Sequence, residues 1–181
     1  MVLYTVGHGA RTGGELVAVL VDAGVGRLAD VRRFPASRRH PHLSRAALNV
    51  TLRAGGIAYE WWGEELGGRR RSPAPTSRHP AWGDPALRAY ADHMDTPAFR
   101  TALTRLSTAA EGDPPLAVMC AETLWWRCHR RLIADAASLQ GADVVHLLEV
   151  GKAQPHVHHP ALRAGDDGWP VYDIGVDVSM L

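Results

Sequence analysis

Residues 116–131 read LAVMCAETLWWRCHRR, and this stretch decides the fold. Leu116 to Met119 is an unbroken apolar run between Pro115 and a polar turn, which predicts a short buried strand. Cys120-Ala121-Glu122-Thr123 is the turn at its carboxyl end. From about Trp125 the spacing predicts a helix, with Leu132, Ile133, Ala136 and Leu139 as its apolar stripe and Gly141 as its stop. A thiol, a carboxylate, several arginines and a histidine therefore gather at one strand-to-helix turn. In open α/β sheets ligands bind beyond the carboxyl ends of the strands, and a helix N-terminus there favours anions.

Outward from that stretch the same alternation repeats. Val2–Val6 is a short apolar strand ended by Gly7-His8-Gly9. Thr12-Gly13-Gly14-Glu15 has capping-box spacing and opens a helix that stops at Gly24; Arg27–Val31 is the second strand. After Asp30-Val31-Arg32 comes an irregular Arg- and His-bearing loop, then a helix capped by Ser44 and ended by Gly55-Gly56. Ile57–Trp61 is a third strand, and Asp143–Leu147 a fifth. Asp84-Pro85 and Thr96-Pro97 each place a capping side chain before a first-turn proline. The predicted fold is α/β: a three-layer, Rossmann-like domain spanning 1–181, its mainly parallel five-stranded sheet covered by helices on both faces. Residues 63–84, rich in Gly, Pro and Arg, read as a long loop of the kind that is either a functional lid or disordered, and 151–181 as an irregular C-terminal segment bearing His156, His158 and His159, with Val171–Ile174 as a last strand or a docked extended segment.

Composition bounds the function. No run approaches the ~20 apolar residues of a membrane span, and the N-terminus lacks the basic-then-apolar order of a signal peptide, so a cytoplasmic location is expected. Two cysteines in 181 residues do not make a disulfide framework and read as reduced thiols. The net charge is only +1, yet nineteen of the twenty basic residues are arginine, the better fork for phosphate and carboxylate. A GC-rich coding bias would replace Lys with Arg everywhere, so the clustering carries more information than the total.

Several motifs in one order resemble the domain of unknown function 488 family: Thr5-Val6-Gly7-His8; Asp30-Val31-Arg32 with Phe34-Pro35 and Ser37-Arg38; Glu65-Leu66-Gly67-Gly68; Tyr90-Ala91-Asp92-His93-Met94; and Met119-Cys120-Ala121-Glu122 followed by Trp126-Arg127-Cys128-His129-Arg130. The chain departs from the family at Gly9, where a Ser is common. The resemblance implies an α/β fold, a set of marked residues and a link to nucleic acid or DNA repair.

The residues themselves leave alternatives open. Cys120 is a packing residue, or a thiolate nucleophile activated by a helix N-terminus and Arg. Cys120 to Arg127 is one residue longer than the loop of cysteine phosphatases. Glu122 is a counter-ion for arginines, a general acid or base, or a reader of a base edge. Asp30 on the same sheet edge would make a carboxylate pair suited to activating water, as in hydrolysis of a glycosidic bond. His8, Arg32, Arg38, Trp126, Arg127, His129 and Arg130 are the substrate-binding candidates, and Arg127 and Arg130, three apart, would share a helix face. Trp61, Trp62, Trp125 and Trp126 could stack bases. Cys120-x7-Cys128-His129 lacks paired metal-ligand spacing, so a structural zinc is not expected there and no metal ligand or cofactor is assigned, while His156, His158 and His159 could take up metal adventitiously. The reading is an intracellular enzyme on an anionic substrate, DNA, RNA or a nucleotide, working through Glu122 and Asp30. Its rivals are a non-catalytic nucleic-acid-binding module and a Cys120-dependent phosphohydrolase or redox enzyme. Oligomeric state is not legible in the sequence.

Overall fold

The computed structural model describes residues 1–36, 40–72 and 76–175. Its centre is a six-stranded sheet in the order β3-β2-β4-β1-β5-β6. The strands are β1 (Val2–Gly7), β2 (Arg27–Asp30), β3 (Ala58–Trp61), β4 (Leu116–Cys120), β5 (Asp143–Glu149) and β6 (Lys152–Pro155). The first five are mutually parallel, as the helices between them require, and β6 folds back antiparallel on β5 as an edge. The sixth strand is the one addition to the five read from sequence.

Helices lie on both faces. Strand β4 is buried along its whole length, and its alternation divides the core. Ala117 and Met119 pack with Leu16, Leu20, Leu48 and Leu52, which come from α1 (Gly13–Asp22) and α2 (Arg45–Ala54). Leu116, Val118 and Cys120 face the other way, toward α4 (Pro85–Met94), α5 (Pro97–Ala110) and α6 (Arg130–Leu139). The caps expected at Thr12, Ser44, Asp84 and Thr96 are all made.

Three expectations are corrected. The helix after β4 does not begin at Trp125. Residues Trp125–Arg127 form one 3-10 turn, Cys128 is extended (φ −137°, ψ 156°), and α6 starts at Arg130. Trp125 is buried while Trp126 and Arg127 are exposed, so the chain must turn again before the helix can present its apolar stripe. Second, residues 63–84 are not structureless in their described part. They open with a one-turn helix, α3 (Gly63–Leu66), and bury His79 and Trp82 in the domain. Third, the segment after 151 is more regular than read: after β6 it forms a hairpin, β7 (Leu162–Ala164) with β8 (Pro170–Tyr172), which overlaps the strand or docked segment expected at Val171–Ile174, and Tyr172 is buried against the helical layer. Among the described residues no helix is long and apolar enough to cross a membrane.

Candidate active site

The parallel register brings the carboxyl ends of β1, β2 and β4 side by side, with Gly7 opposite Cys120 and Asp30 opposite Met119. The turn after β4 is drawn over the end of β1: His8 N–H donates to Cys120 O and Gly9 N–H to Ala121 O, both at 3.0 Å. That approach requires glycine at position 7, where a Cβ would lie 2.0 Å from the Glu122 carbonyl oxygen. A cavity of about 350 Å³ opens on this edge. Arg33, Phe34, Arg69, Glu122 and Arg127 form its exposed rim, and Tyr90, Cys120, Cys128 and His129 its floor. Arg69 holds φ +57°, a left-handed conformation rarely taken by a long side chain and costing of order 1 kcal/mol.

Below the floor Arg130 is 1% exposed, with a charge that must be matched locally. Its Nε–H donates to Cys120 Sγ at 3.1 Å and its NH1 group to Thr5 Oγ1 at 3.4 Å. Its NH2 group donates to the Glu122 and Thr123 carbonyls, and its backbone N–H to Cys128 Sγ at 3.5 Å. Cys120 Sγ and Cys128 Sγ lie 2.7 Å apart, close enough to share a proton. Burial, then the hydrogen bond to Cys128, pushes the Cys120 thiol well up. For Cys128 burial also works upward, but the Cys120 S–H and the Arg130 guanidinium overcome it and draw the thiol down to about 7. The pair is therefore asymmetric: Cys120 is held up by burial and by its neighbour, and Cys128 is drawn down by the donors around it.

His129 completes the floor. Its Nε2–H donates to the Val31 carbonyl at 3.3 Å, which leaves Nδ1 as a lone pair 3.5 Å from Cys128 Sγ. Burial lowers its basicity and keeps the ring neutral, and Tyr90 packs against it. Cys120, Cys128 and His129 present donor atoms within 4.8 Å of one another, a set that could hold a metal ion.

The sequence-marked residues thus separate. Glu122 and Arg127 reach the cavity from its rim, and Cys120 and His129 from its floor. Trp126 is 42% exposed beside Arg127. Arg127 and Arg130 do not share a face, because only Arg130 belongs to α6 and it points into the core. Asp30 and Arg32 form a buried ion pair, and Arg32 also lines the cavity. Arg32 donates to both Asp30 oxygens, at 2.6 Å in the shortest contact, and Tyr59 O–H adds a bond at 2.7 Å. Asp30 is 0% exposed and all its acceptor directions are used, so it braces the end of β2 and has no route to a substrate proton. Arg32 also donates to Leu43 O and to His8 Nε2 at 3.1 Å. His8 accepts there because its Nδ1–H is held by Gly9 O, and burial lowers its pKa to about 4. Arg38 lies outside the described residues.

Two features were not anticipated in the sequence. Cys128 lies against Cys120 on the cavity floor, and a buried chain runs behind Arg130. Thr5 Oγ–H donates to His146 Nδ1 at 2.6 Å, His146 Nε2–H to His156 Nδ1 at 2.9 Å, and His156 Nε2–H to Asp135 Oδ1 at 2.9 Å. Every donor in it points from Arg130 toward Asp135, and Trp125 stacks on His146 at 4.1 Å. The signal was there in a polar Thr5 and His146 inside otherwise apolar strands. A larger groove of about 780 Å³ runs along β3, but its Trp61 and Trp62 rings are already covered by Arg45 and Arg105, and Glu60, Glu64 and Glu65 line it too.

Fold and site together define an α/β protein with a paired-thiol, arginine-rimmed pocket at the carboxyl edge of a parallel sheet. The chain matches the family described as domain of unknown function DUF488 over residues 14–137 and belongs to that family. No curated protein and no solved structure matches it significantly.

Proposed function

We propose that this protein is an enzyme acting on an anionic, nucleotide-like substrate, with Cys128 as nucleophile. The observation that supports this most directly is the Cys120–Cys128 contact of 2.7 Å on the floor of a cavity rimmed by Arg33, Arg69 and Arg127. The arginines would hold a phosphate by charge-assisted bonds, and Arg130 would keep a full negative charge on the thiol pair tolerable in the core. In phosphoester cleavage the Cys128 sulfur attacks phosphorus and the P–O bond to the leaving group breaks. Glu122, the carboxyl on the rim, gives that oxygen its proton. Water then attacks the phosphorus of the S-phosphocysteine, the S–P bond breaks to free the Cys128 thiolate, and a proton returns to Glu122. The role first read for Asp30 has no place in this scheme, since Arg32 and Tyr59 consume its oxygens.

The test is turnover on a panel of phosphomonoesters and nucleotides by the wild type and by Cys128→Ser. Turnover lost in the variant supports the nucleophile, and turnover that survives it refutes the assignment. The second reading, a non-catalytic nucleic-acid-binding module linked to DNA repair, is favoured by exposed Trp126 beside exposed Arg127, a ring and a cation at the same rim. It predicts single-strand binding that falls steeply with salt, with no turnover.

A further inference from the structure

The floor of the cavity carries a second chemistry that the sequence spacing concealed. We propose that Cys120 Sγ, Cys128 Sγ and His129 Nδ1 form a three-ligand site for a thiophilic divalent cation of the zinc class, with its fourth position open to the cavity. The inference does not depend on Cys128 being a nucleophile, because the donor set is the same in either case.

Three independent observations carry it. The three donor atoms lie within 4.8 Å of one another and all three residues line the cavity. The His129 tautomer is the one a ligand needs: Nε2–H is held by the Val31 carbonyl, so Nδ1 has its lone pair free toward the sulfurs. Such a backbone acceptor behind a ligating imidazole orients the ring and strengthens its basicity. The approach to Nδ1 is kept clear by Gly68, where a Cβ would lie 2.9 Å from that atom.

Two sulfurs and one imidazole nitrogen select soft or borderline metals, and there is no oxygen cage for Mg²⁺ or Ca²⁺. Three protein ligands with a free position is the arrangement of catalytic rather than structural zinc. Two thiolates on one tetrahedral ion stand about 3.8 Å apart, given Zn–S bonds near 2.3 Å. The present 2.7 Å therefore requires one sulfur to turn outward by about 1 Å, and the cavity is the side with room. The N–H groups of Arg130 that reach both sulfurs would remain as donors to the bound thiolates. An ion here takes the electron pair that Cys128 would use in attack, so the loaded and nucleophilic forms are mutually exclusive states of one site.

Reduced, chelator-stripped full-length protein is titrated with Co²⁺ without oxygen and watched for tetrahedral ligand-field bands and a thiolate charge-transfer band. One equivalent should bind and be displaced by Zn²⁺. Cys120→Ser and Cys128→Ser should each lower the charge-transfer intensity by about half, one thiolate of two. His129→Gln should weaken affinity about tenfold or more while leaving that band in place. No charge-transfer band at micromolar cobalt, or an unchanged spectrum in the double serine variant, overturns the site. In case a variant fails to fold, one equivalent of Zn²⁺ is added to the wild type before alkylation. Both cysteines should then be protected, and unchanged alkylation rates overturn the proposal equally. Thiol-dependent turnover by metal-free protein is a separate measurement, so the two readings can fail independently.

Discussion

The Nε–H of Arg130 meets the sulfur of Cys120 at 3.1 Å, and the side chain that makes this contact is 1% exposed. A guanidinium is rarely placed in a core without a carboxylate, and among the described residues the hydrogen-bond partners of Arg130 are two sulfurs, a hydroxyl and two carbonyls. A thiol pair that gives up one proton supplies the missing negative charge. Position 130 is thus where fold stability and site chemistry are joined.

Replacing Arg130 with Met should therefore do more than empty a contact. The Glu122 and Thr123 carbonyls lose their donor and the thiol pair loses its counter-charge, for a combined cost of about 3–5 kcal/mol. Arg130→Lys keeps the charge but cannot span Cys120, Thr5 and the turn at once, so it should fall between the two. Urea unfolding of the three proteins checks the order, and wild-type stability in Arg130→Met would contradict it.

Asp30 and Arg127 should part company. Asp30→Ala leaves Arg32 buried without its counter-ion and should cost about 3–5 kcal/mol. Arg127→Ala removes an exposed rim residue, so the melting temperature should hold while affinity for inorganic phosphate or a nucleoside monophosphate drops about tenfold. Thermal melts and ligand titration on both variants decide it. A destabilised Arg127→Ala with intact binding would mean that the arginine is a brace.

Gly7 is predicted to accept no side chain. A Cβ there would lie 2.0 Å from the Glu122 carbonyl oxygen and 2.8 Å from the Arg130 guanidinium. Gly7→Ala should push the turn after β4 off the end of β1, destabilising the domain by roughly 2–4 kcal/mol. A melting temperature equal to the wild type would show that the turn can move freely.

The fold was legible where burial is local. Leu116–Cys120 is apolar at every residue and became the fully buried β4, and the caps at Thr12, Ser44, Asp84 and Thr96 were readable from side-chain chemistry alone. What stayed hidden depends on chain return. Trp125 is buried on His146, a residue 21 positions away, and that contact forces the 3-10 turn that brings Cys128 back over Cys120. His156 looked like part of a polar tail because its partners, His146 and Asp135, are reached only once β6 has paired with β5.

Acid should destabilise the protein through its buried histidines. Burial lowers His146 to about 3 and His8 to about 4, each from 6.5. Below about pH 6.5 the unfolded chain binds these protons and the folded chain does not, so stability falls as pH falls. Each histidine contributes up to about 1.4 kcal/mol per pH unit, down to its folded pKa. His146→Gln should remove its share of that slope. Denaturant unfolding at about pH 7 and pH 5 measures it, and equal wild-type stability at both would contradict the buried, neutral assignment.

The central claim, a reactive thiol on the floor of an anion pocket, is tested most directly by brief alkylation of metal-free native protein with limiting iodoacetamide, followed by mass mapping of the two cysteines. Cys128 should be modified ahead of Cys120, and a saturating nucleoside monophosphate should slow that modification. Cys128→Ser should leave Cys120 largely unmodified in the folded state. Faster labelling of Cys120, or labelling of Cys128 that is both as slow as a buried thiol and indifferent to the nucleotide, would contradict the account.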